Sequence, residues 1–153
     1  MKLNDLIHQA HFRTPALETL LNVMVTHSYV QGELQSVMQQ EGLTHAQYNV
    51  LRILRGAETD RVPCAYIGER LLDRTPDVTR LLARLEANGY VKRRRADYDR
   101  RVVEVGITDL GREVLGRLDG PVDTRISSLT QHLTADDLHT LSHLLEKLRA
   151  DQV

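Results

Sequence analysis

The sequence predicts a mainly α-helical fold that carries one small β-hairpin, and three observations predict it. Five threonines, Thr14, Thr44, Thr75, Thr108 and Thr134, each open a run of apolar residues at helical spacing. Two segments, Tyr90 to Arg95 and Arg101 to Ile107, read instead as strands, the second with Val103, Val105 and Ile107 alternating around a polar tip at residues 96–100. The chain has 153 residues, 41% of them apolar and 27% charged, which suits one folded domain and excludes both a disordered chain and an apolar run long enough to cross a membrane.

The elements follow in order. Thr14-Pro15 is a cap followed by a first-turn proline, and Leu17, Leu20, Leu21, Val23, Met24, Val30, Leu34, Val37 and Met38 continue one long helix to Gly42. Thr44 and Gln47 have capping-box spacing before Val50, Leu51, Ile53 and Leu54, and Gly56 closes that helix. Val62-Pro63-Cys64 is a short extended segment, after which Ile67, Leu71 and Leu72 mark a short helix. Thr75-Pro76 opens the next, which buries Val78, Leu81, Leu82 and Leu85 and ends at Asn88-Gly89. Two helices joined by a tight turn form a helix-turn-helix, and the hairpin that follows is its wing. Beyond Thr108, Leu110, Val114, Leu115 and Leu118 lead to an expected break or kink at Gly120-Pro121, followed by Ile126, Leu129 and Leu133. Thr134 starts a last helix. The reading is a winged helix-turn-helix core with N- and C-terminal helical dimerisation arms: an N-terminal helix over 1–42, a DNA-binding lobe over 43–115 and C-terminal helices over 116–153.

Charge is distributed unevenly. Residues 61–101 hold eleven Lys and Arg against six Asp and Glu, net +5, and leave the rest of the chain at −6. A basic centre in which arginine outnumbers lysine suits phosphate and base-edge contacts. A rotation of 100° per residue places Pro76, Thr79, Arg80, Ala83, Arg84 and Ala87 opposite the buried face of the helix from Thr75. Pro76, Thr79, Arg80 and Arg84 are therefore expected to face a DNA partner; an amphipathic helix with solvated arginines is the plainer alternative. On the wing, Lys92-Arg93-Arg94-Arg95 alternates sides, so some cations face a duplex while others cover the protein. Arg93, Arg95, Asp99, Arg100 and Arg101 are the expected wing contacts, with an arginine in the narrow minor groove while Asp99 holds a neighbouring guanidinium.

Three stretches together, LTHAQYNVLRIL, IGERLLDRTPDVTRLLARLEANGYVKRR and DYDRRVVEVGITDLGREVL, resemble the MarR family of bacterial winged-helix regulators over residues 43 to 115. The pieces that carry the resemblance are Val78-Thr79-Arg80, Leu85-Glu86, Gly89-Tyr90-Val91, Asp99-Arg100-Arg101, Ile107-Thr108 and Gly111. It implies a homodimer built from the terminal helices, a recognition helix in the major groove whose role falls to Thr75 through Arg84, with Thr75, Pro76, Asp77, Thr79, Arg80 and Arg84 as its site residues, and wing arginines, Arg100 and Arg101, in the minor groove. Leu17, Leu20, Leu138, Leu141, Leu145 and Leu148 are the expected dimer residues, because the arms carry more leucine than the core needs.

The expected function is a sequence-specific double-stranded DNA-binding transcriptional regulator, a ligand- or stress-responsive repressor acting as a homodimer on a pseudo-palindromic operator. A winged-helix protein-interaction module without an operator, and a metal- or redox-responsive member of the family, stay open as alternatives. The expected partners are DNA, a second copy and a small-molecule effector, with no membrane and no cofactor. No GxSxG, phosphate loop or paired-carboxylate site is present, so no enzyme is expected. His139 and His143 have a spacing that can hold a metal, but no third soft ligand stands nearby in sequence and no metal is expected. The single cysteine, Cys64, forbids an internal disulfide, and the N-terminus lacks an export pattern, so the cytoplasm is the expected compartment.

Overall fold

A computed structural model describes residues 2–9, 11–72 and 77–150. It is mostly helical with one small antiparallel sheet, as the sequence predicts. A short helix α1 (Leu3–Leu6), which the sequence reading missed, buries Leu3. Helix α2 (Pro15–Met38) begins where Thr14 accepts a hydrogen bond from the Leu17 amide, and a single 3-10 turn, Gln39–Glu41, carries it to Gly42. Helix α3 (His45–Arg55) has the full capping box: Thr44 accepts from the Gln47 amide, and the Gln47 side chain accepts from the Thr44 amide. Strand β1 (Val62–Pro63) leads directly into α4 (Cys64–Arg70). Helix α5 (Val78–Ala87), strands β2 (Val91–Arg95) and β3 (Val103–Ile107), and helices α6 (Asp109–Thr130) and α7 (Ala135–Leu148) follow.

The sheet has the order β1-β3-β2, with Val105 of β3 opposite Val62 on one side and Arg93 on the other. Its inner face and the helices share one core, in which Leu51, Ile67, Leu82, Leu85, Val91, Val105, Leu115 and Leu118 are buried. Between α5 and β2 the chain turns at Gly89, whose φ of +75° is open to glycine at little cost; the Tyr90 amide donates to the Leu85 carbonyl across that turn. Gly111 marks where α6 leaves the sheet. A Cβ there would lie 2.3 Å from the Tyr90 carbonyl oxygen, so only a glycine lets the helix approach the hairpin this closely.

Four sequence expectations need correction. The break at Gly120-Pro121 does not occur: α6 runs through it, with Val122 buried in the core and ion pairs on both sides of the proline holding the helix to its neighbours. Leu72 is 79% exposed, because α4 ends at Arg70 and the extended backbone at Leu71 turns the next side chain outward. Leu133 lies past the end of α6, in the turn before α7. In β3 the alternation is imperfect, since Val103 at the tip end is exposed while Ala96, expected in the polar tip, is buried beneath it.

Helix α6 is fastened along its length. Arg55 of α3 forms a two-bond pair with Asp119, both bonds 2.8 Å long, and Arg117 does the same with Glu41 at 2.9 and 2.8 Å. Arg125 reaches Glu33 of α2 at 2.5 Å. The hydrogen bonds from Arg117 hold the Glu41 carboxyl below its ordinary 4.5, and those from Arg55 hold Asp119 below its ordinary 3.8.

Gly111→Ala should destabilise the fold by about 2 kcal/mol or more, read by urea unfolding, because the backbone that it meets cannot yield as a side-chain tip does. A stable Ala variant would mean that α6 does not rest on Tyr90. A carboxylate with a lowered pKa adds stability above its ordinary value and loses it as the pH falls through its folded value. Unfolding free energy should therefore fall more steeply below about pH 4.5 in the native chain than in a Glu41→Gln, Asp119→Asn variant, which should already be less stable at pH 7. Equal pH dependence in the two proteins would show that these pairs do not hold in solution.

Candidate nucleic-acid interface

Helix α5 is displayed as its apolar spacing requires. Leu82 and Leu85 are buried, Val78 and Leu81 pack against the core, and Thr79, Arg80, Ala83, Arg84 and Ala87 are all exposed on the other side. Its N-cap is Asp77, whose carboxylate accepts from the Arg80 amide at 3.1 Å. This corrects the expected start at Thr75-Pro76; those two residues lie outside the described residues, and the helix proper begins at Val78. Any of Ser, Thr, Asp or Asn serves as a cap, so two candidates within three residues could not be separated by preference alone. Asp77, Arg80, Leu81 and Arg84 line a shallow groove on the exposed side.

The wing arginines divide into three kinds. Arg93 is turned back onto α5: its backbone amide donates to Glu86 Oε1 at 3.0 Å, and its Nε and Nη2 donate to Oε2 at 2.8 and 2.6 Å. These bonds hold the Glu86 carboxyl below its ordinary range. Arg93 was expected among the free wing cations, and its charge is instead compensated inside the protein. Arg94 bridges Asp97 and Glu104, each at 3.4 Å. Arg95 and Arg100 are exposed and make no ion pair among the described residues. Arg101 is the third kind. It is 91% exposed, yet Asp99 accepts from its amide at 2.9 Å, from its Nε at 3.1 Å and from its Nη2 at 3.0 Å, so an outstretched side chain is also aimed. The same bonds lower the Asp99 pKa. The tip is closed by the Val102 amide donating to the Asp99 carbonyl and the Ala96 amide donating to the Val102 carbonyl, both at 2.9 Å.

One contact outside these two elements was missed from sequence. Arg70, at the end of α4, stacks on the Tyr66 ring with its guanidinium carbon 3.5 Å from the ring centre. The spacing of four residues between Tyr66 and Arg70 on a helix is the signal that could have found it.

The remaining candidates are scattered. His139 and His143 are exposed on α7, and no group of three or more His, Cys, Asp or Glu residues is placed to hold a metal among the described residues. Burial pushes the Cys64 thiol up, with Arg93 acting weakly against it, which disfavours the thiolate that an oxidant sensor needs. Leu17, Leu20, Leu138, Leu141 and Leu148 are exposed and Leu145 is half-buried; α7 buries none of its residues against the rest of the chain. An open groove between α2 and α6, lined by Val37, Gln40, Gly120, Pro121, Thr124, Arg125 and Ser128, lies apart from the arginine surface. Among the described residues no helix is long and apolar enough to cross a membrane.

A family model described as MarR family matches residues 41–102. Among curated proteins, the transcriptional regulator TtmR of Methylorubrum extorquens is 39% identical over 85 residues; the match takes in 56% of this chain and 43% of that protein, less than half its length. A MarR transcription factor from Planctomyces limnophilus is 35% identical, with 89% of this chain and 98% of that one covered and a TM-score of 0.69. A mutant of Escherichia coli MarR solved in complex with operator DNA is 28% identical, with 82% and 89% covered and a TM-score of 0.74.

Proposed function

This chain belongs to the MarR family, and on that premise we propose that it is a homodimeric transcriptional repressor that binds double-stranded DNA sequence-specifically in the cytoplasm. The observation that carries the reading is the pairing of two surfaces: an exposed arginine face on α5 beside a wing whose tip holds Arg101 extended. The MarR mutant solved on operator DNA supports the same reading.

In this reading α5 enters the major groove. Arg80 and Arg84, one turn apart, reach guanine O6 and N7 or phosphate, Thr79 meets a base edge, and Ala83 lets the helix lie close. The wing crosses to the minor groove, where Arg101, aimed by Asp99, enters, while Arg100 and Arg95 neutralise phosphates. Arg93 acts one step back, by fixing the wing against α5.

The second copy completes the protein. The apolar faces of α2 and α7, with Leu17, Leu20, Leu138, Leu141, Leu145 and Leu148, would together expose a patch that a monomer does not tolerate in water. Residues 1–42 and 116–153 thus form the dimer arm and residues 43–115 the DNA-binding lobe. Two-fold symmetry places the paired α5 helices on half-sites about one helical turn, 34–36 Å, apart and so requires a pseudo-palindromic operator. Occupancy of that operator blocks transcription, and a small-molecule effector relieves it by favouring a different separation of the two lobes.

Titration of a selected operator and of random duplex against salt tests the reading. Arg80→Ala and Arg84→Ala should each cost about 1–3 kcal/mol of operator binding and little on random DNA. Arg100→Ala with Arg101→Ala should weaken both together and lower the log–log salt slope by roughly 2 for the dimer. Wild-type affinity and slope in every variant would remove α5 and the wing from the interface. Sedimentation at micromolar concentration should give a dimer; a stable monomer would overturn the assignment of the arms.

A further inference from the structure

We propose that Asp77 reads a base: it selects cytosine at one position of each operator half-site. The inference rests on the DNA-binding reading above and names a sequence feature of the ligand that the reading leaves unspecified.

Asp77 stands at the N-terminus of α5, exposed, in the groove that it shares with Arg80, Leu81 and Arg84. One carboxylate oxygen, Oδ1, accepts from the Arg80 amide, and Oδ2 has no hydrogen-bond partner among the described residues. The cap alone does not require a charge, since serine or asparagine caps a helix as well as aspartate. A carboxylate on a surface that approaches a polyanion is unfavourable unless it meets a donor. The major groove offers only amino groups as donors. Guanine O6 and N7 and thymine O4 are acceptors and repel a carboxylate, and adenine sets its N7 acceptor beside its amino group. Cytosine N4 is the donor that a carboxylate takes without that penalty, and its guanine partner is what Arg80 or Arg84 reads. Neighbouring negative and positive side chains in one groove therefore match the two edges of a C·G pair. Wrong bases are rejected by charge as much as the right one is bound.

The test uses the full-length protein, with wild type, Asp77→Asn and Asp77→Ser each selecting from a pool of duplexes randomised across the half-sites. Wild type should enrich cytosine by about tenfold or more at one position, repeated symmetrically in the second half-site. Asp77→Asn should move that position to adenine, because an amide accepts from N6 and donates to N7. Asp77→Ser should flatten it. Both substitutions keep a helix cap, so Tm should hold while the base profile changes. If both variants keep the wild-type profile and bind selected and random DNA more tightly by one common factor, Asp77 is only a cap and a repelling charge, and the proposal is wrong. If wild type enriches no sequence at all, the DNA-binding reading itself fails and takes the proposal with it.

Discussion

An exposed arginine helix and a basic wing can act on one partner only if their separation is fixed, and here that constraint rests on Glu86. Helix α5 and the wing are joined by the short turn Asn88 to Tyr90, which alone would leave the hairpin free to swing about Gly89. Glu86, the last residue but one of α5, takes three hydrogen bonds from Arg93 in β2, one of them from the backbone. A backbone bond fixes the strand itself, whatever rotamer the arginine adopts. On the far side of the same turn Thr108 Oγ1 donates to the Gly89 carbonyl at 2.7 Å, so the hinge residue is held from both ends. The surplus of arginine in the middle of the chain therefore serves two purposes. Some guanidiniums are left for a partner, and others, Arg93 above all, consume their charge in building the frame.

That division explains what could and could not be read from the sequence. Caps and helix faces were legible, because they depend on residues three or four apart: the hydrogen bonds at Thr14, Thr44, Thr108 and Thr134 are all in place, and the outward face of α5 is the one that a rotation of 100° per residue gives. Helical spacing cannot say where a helix stops, so Leu72 was counted into the short helix after Cys64 and Gly120-Pro121 as a break or kink. The fate of each wing arginine was not legible either. Along Lys92-Arg93-Arg94-Arg95 alternation separates two sides, but it cannot show that Glu86, seven residues before Arg93, waits on one of them. The pairs Arg55 with Asp119 and Glu41 with Arg117 join residues 64 and 76 positions apart, and no local pattern announces them.

Asp99 and Glu86 make an instructive contrast. Both are carboxylates that hold an arginine through several hydrogen bonds, one of them from its amide, and both are kept ionised by it. Glu86 draws Arg93 inward, where the guanidinium is 28% exposed, whereas Asp99 grips Arg101 from the side of a tight tip and leaves it 91% exposed. An exposed ion pair of this kind adds little to stability. Its value lies in lowering the number of orientations that a long side chain must give up on binding.

The paired flanks of α6 have a mechanical consequence. Arg117 and Asp119 are two residues apart and so project from opposite flanks of the helix, one tied back to the end of α2 and the other to α3. Twenty-two residues make a rod of about 33 Å. Gripped on both flanks and seated on Tyr90 at its first turn, that helix is continuous through the proline. A tilt of about 5° at its centre shifts each end by roughly 1.5 Å in opposite senses. The end beside α7 and the end beneath the hairpin would therefore move together, in opposite senses, whenever the helix tilts as one body.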